Sequence, residues 1–476
     1  MPALGLGIGI PFRRMGAGID AQAQAHYDRV IADGGLIPSG LAGVNNFFKT
    51  VKGIYGTSDI TTAVSVGLDA QVLGYKLGAG AGTTAGQAAQ KLYSCSGSSG
   101  DVVQTTASSQ PLLLVHSGSN YAWFPKVAGN YINSSTTYAT NDIDIEFSVN
   151  MLSGDNSGNQ QVIGTDNTAP FAITINRASS LITIEYYVGG FRLASAPFTW
   201  AATNIIRVTR NSTTGVITFI NNGVTLTTSG SQVAGAFDIS ITSLCVGGYT
   251  AGFPFLGKIN YANCYIGGVL TRAFNPSQYN AATSQTQWTS STGEVWTINT
   301  GTATTGYKGV LVDRSIVQGD GVDDTLDLNT FILPQPFTIY PAFNNIGDTS
   351  NGFLFDAVNT SSNRVLMIRD GGLNFSYETT PSSGAVAISR TVKTLELNSV
   401  VFNGASSSVQ RNNGSSVIGN IGSSGFTSLR LGRASGSGGS NGNYVYNTFI
   451  IVSSADNSTI RTSMYNYIRS INNNAF

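Results

Sequence analysis

The sequence predicts a mainly β fold: two tandem antiparallel β-sandwich domains of the jelly-roll kind, preceded by a small α-helical N-terminal module. Three observations carry that expectation. The stretch Phe253 to Thr271 (FPFLGKINYANCYIGGVLT) has a shorter echo in Gly442 to Ser454 (GNYVYNTFIIVSS), and both are runs of Ile, Tyr, Phe and Val after glycine-rich turns, as closing strands are. Each copy follows a second shared phrase, Ser243-Leu244-Cys245-Val246-Gly247 in one and Ser428-Leu429-Arg430-Leu431-Gly432 in the other. Matched turns, Asn221-Asn222-Gly223 and Asn412-Asn413-Gly414, lie about 190 residues apart, a domain length rather than a solenoid period.

A chain of 476 residues is too long for one small core. Its 57 glycines and 11% charged residues, with abundant Ser, Thr and Asn, fit extracellular or virion β proteins better than a cytosolic enzyme. Zero formal net charge gives no general electrostatic footprint for nucleic acid or an anionic membrane. Three cysteines, Cys95, Cys245 and Cys264, are too few for a disulfide scaffold. A Cys245 to Cys264 bridge is conceivable across neighbouring strands, but the echo carries Arg430 and Thr448 there, so small buried thiols are expected.

In order along the chain, the leader MPALGLGIGIPFRRMGAG alternates apolar residues with glycine and places Arg13-Arg14 after the apolar run, which suits neither a secretory signal nor a membrane span. Leu4, Leu6, Ile8 and Ile10 form one apolar edge that could add to another sheet; a disordered leader is the alternative. Between Asp20 and Tyr93 the period lengthens, and three helices are expected. Ala21 to Ile31 stops at Gly34-Gly35; Leu41, Val44, Phe48, Val51 and Ile54 make a stripe behind the cap Ser39; Thr84 to Tyr93 is marked by Ala85, Ala88, Ala89 and Leu92. Helices this short depend on packing partners, within the chain or in an assembly. The run Ser94 to Gly100, SCSGSSG, reads as a flexible joint. The expected division is a Gly-rich attachment segment at 1–19, a helical module and linker at 20–100, a first sandwich at 101–285 and a second at 286–476.

Beyond the joint, short strands punctuated by Gly, Asn or Ser are expected at Asp144 to Val149, Phe171 to Ile175, Leu181 to Val188, Ile205 to Thr209 and Val216 to Ile220. Ile143-Asp144-Ile145-Glu146-Phe147 aligns with Pro336-Phe337-Thr338-Ile339-Tyr340, the strand that opens each sandwich. A last helix, Ser458 to Ile471, presents Ile460, Met464, Tyr467, Ile468 and Ile471 on one face and must dock somewhere.

The order GDGVDDTLDL, FTIYPAF, NNG, SLRLG and a closing Ile-rich strand resembles laminin-G-like domains of the concanavalin A-like superfamily. In that family a phrase shaped like Phe255-Leu256-Gly257-Lys258-Ile259 leads into the last strand. The phrases GGLIPSGLAGVNNFFKTVKGIYG and DVVQTTASSQPLLLVHSG are similar to segments of structural proteins of tailed phages, crAss-like phages among them. That resemblance implies a virion protein of the tail, a fibre or a capsid decoration. Its expected partners are other virion proteins through the N-terminal module, further copies of the chain, with a trimer the first guess, and host surface polysaccharide.

Asp142, Asp144 and Glu146 share one strand face by alternation and resemble the carboxylates of glycosidases on the same scaffold, whose retaining members hold them about 5 to 5.5 Å apart. The leading Asp142 is short for a nucleophile and the echo carries Thr338 and Tyr340, so a solvated outer strand, without catalysis, is the preferred reading. His26 and His116 lie in different regions and are read as structural. The laminin-G resemblance makes Asp320, Asp323 and Asp324, with Asp327 beyond, candidates for calcium. Only Gly129 and Asn130 stand at the matching place in the first repeat, and Asp and Gly favour turns for backbone reasons, so no cofactor is expected. Glycan recognition needs exposed rings beside polar groups. Trp123, with Tyr121 near it, aligns with Val317 at a strand position and is read as core. Tyr249, Phe253 and Phe255, in a Gly-rich loop with no aromatic counterpart in Gly436 to Gly442, are the expected glycan-binding residues.

Overall fold

The computed structural model describes residues 18–78, 87–116, 119–125, 131–138, 140–151, 158–165, 170–176, 179–199, 201, 203–238, 243–248, 253–279, 287–298, 310–312, 314–319, 324–345, 352–358, 364–369, 374–380, 384–389, 395–432 and 444–472. They form two β-sandwich lobes with three helices. The first lobe pairs a nine-stranded with an eight-stranded sheet; the two sheets of the second lobe share the strand Gln87–Leu92 and together hold 17 strands. No helix of the described residues is long and apolar enough to cross a membrane.

The repeat read from the sequence is visible in strand order. Across the first lobe's eight-stranded sheet run Val224–Leu226, Ile217–Asn221, Asn204–Arg210, Ile143–Met151, Leu256–Ile266, Tyr121–Pro125 and Val310–Val312. Across the second run Ser416–Gly419, Ser407–Arg411, Leu395–Phe402, Phe337–Asn345, Tyr444–Val452, Ile316–Gln318 and Leu112–Leu114. The two orders correspond strand for strand. The matched turns also agree, since Asn222, Gly223, Asn412 and Asn413 all take positive φ. The opening strands match one residue away from the sequence alignment. Ile143, Ile145 and Phe147 face the first core as Phe337 and Ile339 face the second, so Asp144 corresponds to Thr338 and Glu146 to Tyr340. With a side-chain period of two, that single step decides which residues lie on the same face.

Each lobe is closed by strands that precede the other in sequence. Leu112–Leu114, just before the first lobe, pairs with Ile316–Gln318 of the second, whereas Val310–Val312, just before the second, pairs with Tyr121–Pro125 of the first. The chain between the lobes is therefore an antiparallel neck of two segments. Val64–Asp69 pairs with the closing strand Tyr444–Val452, and Val66, Leu68, Tyr75, Ala89, Leu92 and Val102 lie in the second lobe's core. Structurally the first lobe is an insertion into the second, and the described residues before Leu112 belong to that second lobe rather than to a separate module.

Two corrections follow. The helix expected at Thr84 to Tyr93 is the strand Gln87–Leu92, with its first residues outside the described set. Strand pairing with Tyr75–Leu77, Val102–Val103 and Leu112–Leu114 outweighs the helical preference of its alanines. The joint expected at Ser94 to Gly100 is packed: Ser94 N–H donates to Asp101 (2.7 Å), Ser96 Oγ donates to Ser65 O (2.7 Å), and Cys95 is buried under Gly67, where a Cβ would meet its Sγ at 2.6 Å. Small polar residues there satisfy buried backbone groups instead of loosening the chain. Cys245 and Cys264 are likewise buried.

The other helices form as read. α1 (Ala21–Ala32) is capped by Asp20, whose carboxylate accepts the N–H groups of Gln22 and Ala23. α2 (Gly40–Tyr55) ends at left-handed Gly56; Ser39, expected as its cap, instead directs its hydroxyl to Val72 O (3.5 Å). α3 (Ser458–Ile471) is capped by Asn457. All three bury their apolar stripes on the outer face of the second lobe, where Phe47, Phe48, Val51, Met464, Tyr467 and Ile468 cover Tyr340, Ala342, Leu397 and Ile450. The partner these helices require is thus in the chain. Tyr55 and Tyr340 both donate to Asp456 Oδ2, at 2.5 and 2.6 Å, which ties α2 and the entry to α3 to the sheet.

Candidate functional site

The loop expected to bind glycan is only partly suited to it. Phe255 is buried in the first core, edge-on to Phe124 at 6.2 Å between centroids, and offers no face to a sugar. The loop is drawn inward at Gly247, whose φ of 86° places it where a Cβ would strike the Phe124 ring at 2.1 Å. Phe253 is half-buried and its carbonyl accepts from Gln161 N–H (2.9 Å); Tyr249 lies outside the described residues.

An exposed aromatic pair stands elsewhere on the same lobe. Strands Leu181–Tyr187 and Phe191–Pro197 form a hairpin that sends Ile182, Ile184, Tyr186, Ala194 and Ala196 into the core. Alternation therefore turns Glu185, Tyr187, Phe191 and Leu193 outward. Tyr187 and Phe191 are cross-strand partners with ring centroids 5.5 Å apart, and Phe191 and Leu193 are 52% and 40% exposed. Glu185, paired with Leu193, accepts a hydrogen bond from Asn159 (3.2 Å), and burial pushes its carboxyl above the ordinary range. The tip is fixed. Asp238 accepts the N–H groups of Gly190 (2.9 Å) and Gly189 (2.8 Å), which hold its carboxyl below the ordinary range, while Arg192 donates to Val188 O and Gly189 O. A ring pair beside a carboxyl and an amide can stack on the C–H face of a sugar and bond its hydroxyls. The signal was in the sequence: Phe191 follows Gly189-Gly190 as Phe253 follows Gly252.

The carboxylates weighed for catalysis are all engaged. Arg207 grips both oxygens of Asp144 (2.7 and 2.8 Å) and lies over the Tyr265 ring. Tyr261 donates to Glu146 (3.1 Å), and burial together with that carboxylate pushes the phenol up to about 12. Ser212 N–H donates to Asp142 (2.6 Å) and holds it below the usual range, so Asp142 is no proton donor near neutrality. Beside them is an open cleft of about 520 Å³, lined by Asp142, Asp144, Thr209, Thr214, Val216 and Tyr265 among others. His26 bonds Leu73 O and is buried; His116 lies near the neck beside Asn120.

Of the calcium candidates, Asp320 and Asp323 lie outside the described residues. Asp327 has both oxygens taken by Arg430 (2.8 and 2.7 Å), which leaves it poorly placed to serve a cation. No group of three or more His, Cys, Asp or Glu among the described residues could hold a metal ion.

The fold and these surfaces define a two-lobed antiparallel β-sandwich protein in which one sandwich is inserted into the other. No protein-family description matches the chain, and no curated protein does. Solved structures similar to it include mouse laminin alpha1 domains LG4-5, at 9% identity and TM-score 0.29 over 70% of this chain and 88% of that one. Another is a putative carbohydrate binding protein from Bacteroides ovatus, at 13% identity and TM-score 0.29 over 46% and 67%. A third is the CBM40 of the Ruminococcus gnavus IT-sialidase bound to alpha2,3 sialyllactose, at 16% identity and TM-score 0.23 over 27% and 77%.

Proposed function

We propose that the protein is a non-enzymatic virion structural component, of a tail, fibre or decoration, whose first lobe binds a surface polysaccharide. The observation that carries the binding part is the fixed, solvent-facing Tyr187 and Phe191 pair beside Glu185 and Asn159. The virion part rests on the Gly-, Ser- and Asn-rich composition and the phage-like N-terminal phrases. Attachment to other virion proteins falls to the leader, because α1 and α2 spend their apolar faces on the second lobe. One shallow site binds in the millimolar to micromolar range, about 4 to 8 kcal/mol, so adhesion calls for several linked copies, with a symmetric trimer as the first expectation. The test is adsorption and polysaccharide binding by Phe191→Ala, with thermal melting as the fold control. Binding should fall several-fold with the melt unchanged, and no sugar should be released. Unchanged adsorption by a folded variant would favour a purely architectural role; sugar release would make the protein a depolymerase.

A further inference from the structure

Beside the seam of the two lobes, Lys258 carries a cation with no carboxylate ion-pair partner among the described residues. It lies in the closing strand of the first lobe, opposite Trp123 on one side and Asn150 on the other. Its Nζ sits 4.1 Å from the centroid of the Tyr121 ring. Tyr121 and Trp123 are the outward residues of their strand and are buried against Leu114, Val312, Ile316 and Val445, which makes this corner the seam of the two lobes. The Tyr121 hydroxyl and the Trp123 indole N–H are both buried without a hydrogen-bond partner.

These groups ask for the same thing. An ammonium and an indole N–H can only donate, and a phenol donates readily. Leaving the phenol and the indole unmet where both are fully buried is costly, and burial alone pulls the half-buried Lys258 ammonium below its ordinary range. Asn150, opposite Lys258, does not answer the need, since its side-chain carbonyl already accepts from Asn260 (3.1 Å) and its amide donates to Thr203 (2.9 Å). A single positive charge above an aromatic face balances one negative charge; a dianion would leave excess charge against the rings.

We propose that Lys258, with Tyr121 and Trp123 beneath it, is a carboxylate-binding site, separate from the Tyr187 and Phe191 hairpin. Its ligand is a monoanionic carboxylate, carried by an acidic sugar or by a free small acid. The full-length protein with 13C-labelled lysine is titrated with glucuronate, acetate, galacturonan and, as a neutral control, glucose, while the Lys258 Cε signal is followed. The signal should move saturably with the carboxylates and not with glucose. Lys258→Met should weaken binding about ten-fold or more, as loss of a charge-assisted hydrogen bond does, with Lys258→Arg retaining most of it. Tighter binding of glucuronate and galacturonan than of acetate identifies an acidic sugar; equal binding identifies the carboxylate alone. A Lys258 signal indifferent to every carboxylate overturns the site using wild-type protein only, as does unchanged affinity in a folded Lys258→Met variant. Phe191→Ala should leave this titration untouched, so failure of the hairpin site and failure of this one are told apart.

Discussion

The outer face of the first lobe's eight-stranded sheet and its counterpart in the second lobe share their strand order and differ in what covers them. On the first, Asp144, Glu146, Arg207 and Tyr261 meet solvent as a half-buried polar network. On the second, the matching positions Thr338 and Tyr340 are fully buried, and α2 and α3 lie over the sheet. The change from carboxylates to Thr and Tyr follows the cover: a charge under a helix would need a buried partner, whereas a phenol needs only one acceptor, here Asp456. The covered face carries α1, α2 and α3, and the open one is left to solvent.

The largest expected effect lies where the lobes join. Arg314, 3% exposed, leaves the neck to donate to Ile471 O and to fully buried Asp69, which also accepts from Thr448 Oγ1 (2.7 Å) and from the N–H groups of Gln71 and Val72 (both 3.0 Å). Four distant stretches of chain thus meet on one ion pair. Arg314→Met should cost about 3 to 5 kcal/mol in chemical denaturation, because Asp69 is left as an uncompensated buried charge, and adding Asp69→Asn should recover part of it. Breaking the exposed pair of the open face, Arg207→Met against Asp144, should cost under about 1 kcal/mol. Similar losses from both would erase the distinction between the lobes.

Comparable in size is the effect of breaching the helical cover. Phe47 is fully buried and meets Tyr467 of α3 at 5.8 Å between ring centroids. Phe47→Ala should cost about 3 to 5 kcal/mol. Hydrogen exchange should accelerate in α2, α3 and the strand Leu395–Phe402 and stay unchanged in the first lobe; equal acceleration in both lobes would mean that they open as one unit.

Much of this was legible in the sequence, and the rest was hidden for physical reasons. The repeat, the turns and three of the helices depend on local signals, namely Asn-Gly steps, glycine stops and apolar stripes, and those signals survive in the structure, whereas the cap read at Ser39 does not form. The strand Gln87–Leu92 looked helical because alanine's preference is local, whereas the three strands that pair with it are not. The exchange of edge strands through the neck was unreadable for the same reason, since Leu112–Leu114 suits either lobe by composition. Phe255 and Phe191 follow similar glycine-rich turns, and only the paths of the two loops decide that the first ring enters the core and the second stays outside.

The smallest effect is expected on the open face, and it is the most exacting comparison because the positions match. Tyr340→Phe removes a donor from buried Asp456 and should cost about 1 to 2 kcal/mol. Glu146→Gln, at the corresponding place, keeps an acceptor for Tyr261 in a half-exposed setting and should cost less than about 0.5 kcal/mol. Its clearer mark is electrostatic. Burial and the Glu146 carboxylate together raise the Tyr261 phenol to about 12, and the carboxylate does so by opposing the phenolate charge. Glutamine carries no such charge, so ultraviolet titration of Glu146→Gln should find Tyr261 ionising at lower pH than in the parent protein, with burial still holding it above an ordinary tyrosine. An unmoved titration would show that Glu146 does not face Tyr261. A Glu146→Gln cost exceeding that of Tyr340→Phe would show that this face is covered in solution, by a second copy or another protein.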